Sequence, residues 1–118
     1  GDRILKSIAT LTRSVLREGD ILVRYGGEEF LAILPAASSE DLRLIAERIR
    51  RSVEDSSVRE GDQTIRVTLS IGGASYPHQN VEKESRLLQL ADDSLYRAKE
   101  TGRNRVVISN AMDSENPT

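Results

Sequence analysis

Residues 21–34, ILVRYGGEEFLAIL, place a glycine pair between two apolar runs. The pattern predicts short strands over 21–25 and 30–34 joined as a β-hairpin, with Pro35 closing the second strand. Gly26 and Gly27 suit a turn that needs positive φ, and they also leave the backbone bare for a ligand phosphate or base. A turn has no such use for Glu28 and Glu29 side by side. Successive strand residues point to opposite faces, so one carboxylate is expected on the working face of the hairpin. A carboxylate beside a bare glycine turn suits a Mg²⁺ ion that also holds a triphosphate, or takes a proton from an attacking hydroxyl. A charged hairpin rim is the ordinary alternative.

The rest of the chain supplies covering elements. Apolar residues Ile4, Leu5, Ile8, Leu11, Val15 and Leu16 have helical spacing over residues 3–18, with Asp2 at the N-cap position and Gly19 at the end. Ser38 and Ser39 open a second helix, whose first turn holds Glu40 and Asp41 and whose stripe is Leu42, Ile45, Ala46, Ile49 and Val53. Residues 56–63 read as a polar loop. Ile65, Val67, Leu69 and Ile71 alternate with polar residues, as in a half-buried strand, and Gly72 and Gly73 suggest a bulge or a close backbone approach. A third helix, 85–101, turns Leu87, Leu88, Ala91, Leu95 and Ala98 inward and is capped by Gly102, before a last strand at 105–109. The order predicts an α/β (α+β) sandwich, helices over a mostly antiparallel sheet. Residues 1–109 form one domain, and 110–118 read as a flexible tail.

Composition narrows the chemistry. The 118 residues carry 17 basic and 19 acidic side chains, a formal charge of −2. No global basic character invites DNA, RNA or a membrane surface, so anion binding has to be local. There is no cysteine and a single histidine, His78. Disulfide and thiolate chemistry are therefore excluded, and a bound metal would be a hard ion held by carboxylates. No apolar run is long enough to cross a membrane and no signal peptide is visible, which reads as a cytoplasmic protein.

Two further constellations can handle anions or bases. Lys99 and Arg103, four apart, are placed to grip phosphate oxygens together. Cations at a helix C-terminus are also ordinary complements of the dipole. In REGD, 17–20, Arg17 can read guanine O6 and N7 while Asp20 accepts from the guanine N–H edge. A local i,i+3 ion pair accounts for the same two residues.

These residues together resemble the GGDEF domain family. RYGGEEF resembles its signature in the GGEEF spelling, and GD at 1–2 looks like the end of its GHxxGD segment. REGD, five residues before GGEEF, resembles its RxxD inhibitory site. VTLSIGGASY resembles its SIG-containing strand, and ADDSLYRAKETGRNRV, 91–106, its A-D-x-A-L-Y-x-A-K-x-x-G-R-N stretch. Five motifs in order are far more specific than one.

The resemblance implies a nucleotidyl-cyclase palm of ferredoxin-like type and a diguanylate cyclase, which condenses two GTP into cyclic di-GMP and releases pyrophosphate. It implies Gly26 and Gly27 against the substrate, Glu28 as metal ligand and base, and Glu29 in support. Lys99 and Arg103 would lie on the triphosphate and Asp2 on the guanine. Arg17 and Asp20 would form the product site, with Arg48 as a further arginine there. The cofactor would be Mg²⁺ or Mn²⁺, and the active state a homodimer. The family's first strand, with its D-x-D-x-F-K segment, is not found in this sequence. The expectation is therefore a fragment of a larger signalling protein, inactive alone or completed by strand swapping. A binding module for cyclic di-GMP or GTP without turnover is the alternative.

Overall fold

The computed structural model describes residues 2–75 and 84–109. The expectations for His78 and for the tail 110–118 fall outside them. In chain order the elements are α1 (Asp2–Val15), β1 (Ile21–Arg24), β2 (Phe30–Ile33), α2 (Ser39–Glu54), β3 (Val58–Glu60), β4 (Gln63–Ile65), β5 (Ile71–Ala74), α3 (Glu84–Glu100) and β6 (Val106–Ser109).

Helix α2 forms where its sequence dictates. Ser38 is the N-cap in extended backbone, its hydroxyl accepts from the Asp41 N–H, and the Asp41 carboxylate accepts from the Ser38 N–H. This capping box satisfies two donors that the first turn would otherwise leave unpaired. The helix buries Ala46, Ile49 and Val53, as its spacing predicts. Helix α1 is shorter than its periodicity suggests. It ends at Val15, and Asp2 lies within its first turn instead of capping it.

The strands pair as three separate two-stranded ladders. β1 and β2 run antiparallel, with Ile21 opposite Ile33 and Arg24 opposite Phe30. β3 and β4 form a second antiparallel hairpin, Glu60 opposite Gln63, around the Gly61–Asp62 turn. That hairpin occupies the stretch expected to be a polar loop; the Gly-Asp pair between VRE and QTI was its readable signal. β5 and β6 are parallel, Ile71 opposite Val106. The alternating run 65–71 is not one strand: β4 stops at Ile65, β5 starts at Ile71, and 66–70 belong to no ladder. Alternation reports which side chains face inward, whereas a ladder also needs a neighbouring strand.

β5 is covered on both faces. A Cβ on Gly72 would run into the backbone of α3, at the Leu95 N and Cα and the Ala91 carbonyl, the last two at 2.5 and 2.6 Å. A Cβ on Gly73 would point to Ile108 and to Leu42 of α2. Adjacent residues face opposite sides of a strand, so α3 lies on one face and α2 on the other. The expected close approach is therefore real at Gly72. It is matched by small residues on α3, where Ser94 is 1% and Ala98 0% exposed. Leu90 is also buried, against Ala74 and Leu87. The buried line of α3 thus runs through Leu90, Ser94 and Ala98, with Leu88, Ala91 and Leu95 only partly covered. Polar Ser94 hid that line from a reading based on apolar residues.

Candidate active site

The glycine loop spans residues 25–29, between the last paired residues Arg24 and Phe30. The N–H groups of Tyr25 and Gly26 both donate to the Glu29 carbonyl, at 2.9 and 3.2 Å. Arg24 folds over the tip: its Nε donates to the Gly26 and Gly27 carbonyls, its Nη2 also reaches Gly27, and its guanidinium sits 5.8 Å from the Phe30 ring centroid. The loop is therefore braced from one side by a cation that satisfies its carbonyls.

Neither loop glycine adopts positive φ, contrary to the turn expected from the dipeptide. A five-residue loop spreads the reversal over more residues than a two-residue turn and removes the need for left-handed backbone. Packing does not require glycine either. A Cβ at Gly27 would meet nothing within 4 Å, and one at Gly26 only the Glu29 Cβ at 3.8 Å. The bare backbone at Gly27 faces open space, and that at Gly26 leaves room for a side chain.

Lys99, in the last turn of α3, places Nζ 3.8 Å from the Glu29 Oε2. The end of α3 and the glycine loop thus meet, which joins two of the sequence-predicted sites. Glu28 is exposed and, among the described residues, is in no ion pair. Arg103 does not share a helical face with Lys99. The helix ends at Glu100, Gly102 has φ 135°, and the Arg103 N–H returns to the Ala98 carbonyl at 2.8 Å. This is a Schellman closure with glycine at the left-handed position, so Gly102 caps the helix as expected. No side-chain hydrogen bond or ion pair among the described residues joins Asp2, Arg48 or Arg103 to the other predicted positions; all three are exposed.

Arg17 and Asp20 are paired with each other. Arg17 Nε and Nη2 donate to the two Asp20 oxygens, each at 3.2 Å, the Arg17 backbone N–H donates to Oδ2 at 2.7 Å, and Nη2 also reaches the Pro35 carbonyl at 3.1 Å. The Asp20 side chain is 2% exposed and that of Arg17 42%. The hydrogen bonds from Arg17 hold the Asp20 carboxyl below its usual range despite its covering. A depression of about 280 Å³ borders them, lined also by Glu18, Gly19 and Pro35.

One cluster escaped the sequence reading. Arg50 on α2, 12% exposed, donates to both oxygens of Glu47 at 2.9 and 2.8 Å, to Glu54 at 3.1 Å and to the Asn104 Oδ1 at 2.9 Å. The Asn104 Nδ2 donates to the second Glu54 oxygen at 2.7 Å. The Glu47–Arg50–Glu54 spacing on one helix was visible as i,i+3 and i,i+4 pairs. Its extension to Asn104 was not.

The family model "Diguanylate cyclase, GGDEF domain" matches residues 1–105, and the chain belongs to that family. It is 41% identical over 109 residues to Diguanylate cyclase A of Treponema denticola, covering 92% of this chain and 29% of that one. Diguanylate cyclase SiaD of Pseudomonas aeruginosa, solved in complex with its activator SiaC, superposes with TM-score 0.84 at 40% identity, over 92% of this chain and 41% of that one. The GGDEF domain of DgcB from Caulobacter crescentus, solved in complex with c-di-GMP, gives 0.81 at 29% identity, over 91% and 63%. The mixed α/β architecture is thus that of GGDEF domains. The chain spans less than a third of the length of the curated cyclase from Treponema denticola. Among the described residues no helix is long and apolar enough to cross a membrane.

Proposed function

We propose that residues 1–109 belong to the catalytic domain of a diguanylate cyclase that joins two GTP molecules into cyclic di-GMP, a domain whose first strand is not in this sequence. The observation that carries this reading is the loop Gly26–Gly27. Neither backbone conformation nor packing calls for glycine there, so what calls for it lies outside the chain. A nucleotide lying against that bare backbone meets Glu28 and Glu29 on one side and Lys99 beside them.

In the reaction the 3′-hydroxyl oxygen of one GTP attacks the α-phosphorus of the other. The new P–O bond forms as the α–β phosphoanhydride breaks, pyrophosphate leaves, and the hydroxyl proton goes to a base; a second such step closes the ring. Positioning and charge neutralisation dominate phosphoryl transfer of this kind. Lys99 and Arg103 bind the triphosphate, Asp2 contacts guanine, and the two GTP-loaded domains of a homodimer bring the hydroxyl and phosphate together. Glu28, unpaired among the described residues, would hold a divalent ion and accept the hydroxyl proton, while Glu29 pairs with Lys99. Those carboxylates fit Mg²⁺ or Mn²⁺, which binds through one or two carboxylates plus water and substrate phosphates. Among the described residues no group of three or more acidic or imidazole side chains could hold a metal ion, so these carboxylates alone would not complete its coordination. Such an ion would neutralise phosphate charge. Arg17 and Asp20, with Arg48, form a product site that restrains the enzyme.

The test is chromatographic detection of cyclic di-GMP and pyrophosphate from GTP and Mg²⁺ with the intact protein and its Glu28→Gln variant. Turnover lost in the variant, with folding retained, is expected. Cyclic di-GMP binding without turnover by the parent would select a receptor instead of an enzyme.

A further inference from the structure

Three consecutive residues after α3 have positive φ: Gly102 at 135°, Arg103 at 62° and Asn104 at 47°. Asparagine tolerates that region through local hydrogen bonds, but arginine has no such compensation. A residue in sparsely populated backbone persists only where its surroundings over-determine it. Here the determining residue is Asn104. Its Oδ1 accepts from Arg50, its Nδ2 donates to Glu54, and its backbone N–H donates to the Ser70 Oγ at 3.2 Å. One side chain and one amide thereby tie the loop to α2 and to the segment entering β5. On the other flank the Arg103 N–H is fixed to Ala98, and the Arg103 carbonyl accepts from Arg105 Nε at 3.0 Å. The Arg103 side chain is exposed and, among the described residues, makes no ion pair. The network immobilises the backbone of a residue whose side chain it leaves alone.

We propose that Asn104 is a positioning residue: locked by Arg50, Glu54 and Ser70, it fixes the strained base from which Arg103 reaches a nucleotide phosphate. This rests on the reading of Arg103 as a triphosphate ligand. A long side chain on a mobile loop would lose rotational freedom on binding; one on a fixed base loses less, and its donors are oriented in advance.

The experiment is a double-mutant cycle in the intact protein, read as equilibrium binding of Mg²⁺ with a GTP analogue carrying a methylene between the α- and β-phosphates. Asn104→Gly keeps access to positive φ and removes the lock. It is expected to weaken the analogue by about tenfold, a coupling typical of residues in direct contact, and to leave cyclic di-GMP binding at Arg17 and Asp20 unchanged. In an Arg103→Ala background the same change is expected to add less than about twofold. Equal weakening in both backgrounds, or none in the parent, overturns the positioning role. If Arg103→Ala alone leaves binding intact, the reading of Arg103 as a phosphate ligand fails, and the role of Asn104 fails with it. Should Asn104→Gly not fold, Glu54→Ala removes one arm of the lock from a partly exposed position and is expected to show the same dependence on Arg103.

Discussion

Lys99 reaches across to Glu29, Nζ to Oε2 at 3.8 Å, and so joins the last turn of α3 to the glycine loop. The two side chains are 38% and 47% exposed. An ion pair this long and this wet contributes well under ~1 kcal/mol to stability. The Lys99→Met variant is therefore expected to melt like the parent. Losing a charge-assisted contact to phosphate should nonetheless raise KM for GTP by roughly tenfold or more. A thermal melt and a GTP titration check the two halves, and an unchanged KM would remove Lys99 from the triphosphate site.

The loop glycines give a sharper separation of stability from function. Gly27→Ala places a methyl in open space and Gly26→Ala one at ordinary contact distance from the Glu29 Cβ, both on backbone that alanine accepts. Each is expected to change stability by no more than ~0.5 kcal/mol and to impair nucleotide binding. Calorimetric titration with GTP and Mg²⁺ on the folded variants decides it. Normal binding would mean that nothing lies against this backbone.

Gly72 carries the opposite expectation. Its α-carbon faces the backbone of Ala91 and Leu95, which cannot swing aside as a side chain can. Gly72→Ala forces α3 away from β5 and is expected to cost about 3 kcal/mol or more, as severe overpacking does. Urea unfolding of variant and parent measures it; a loss below ~1 kcal/mol would contradict the close approach.

At the Arg17–Asp20 pair a simple deletion misleads. Arg17→Ala would strand the Asp20 carboxylate, 2% exposed, with the Arg17 backbone N–H as its remaining hydrogen-bond donor. A loss of stability relative to the parent is expected. Pairing it with Asp20→Asn removes the buried charge, so the double variant should be more stable than Arg17→Ala while also escaping inhibition by cyclic di-GMP. Inhibition of the double variant at parental strength would refute the assignment.

Glu47 links stability to pH. The hydrogen bonds from Arg50, opposed by burial and aided by Arg51, lower its carboxyl from 4.5 to about 2. A depressed carboxylate stabilises the fold above its unfolded value, and that contribution is lost as pH falls through 4.5 towards 2. The side chain is 35% exposed, so solvent screening leaves a contribution on the order of 1 kcal/mol. Glu47→Gln should therefore be less stable than the parent at pH 7, with the gap narrowing towards pH 2. Chemical unfolding across that range tests the sign.

What the sequence by itself determined was local. Ser38 and Asp41 cap α2 because their side chains reach backbone donors within one turn. Gly102 ends α3 because glycine accepts positive φ, and the stripe Ala46, Ile49 and Val53 points inward because the helix repeats every 3.6 residues. The motifs around Glu28, Lys99 and Arg17 were legible for the same reason, since each lies within a few residues of chain. Only the tertiary structure decided that the alternating run at 65–71 breaks into separate ladders, and that the loop glycines need no left-handed backbone. It alone decided that Lys99 meets Glu29 and that Asn104 locks onto Glu54, 50 residues away. Such contacts depend on how helices and strands pack, on distances of a few ångströms set by side chains such as Ser94 and by the bare face of Gly72. A one-dimensional pattern reports which face is buried. It does not report what that face is pressed against.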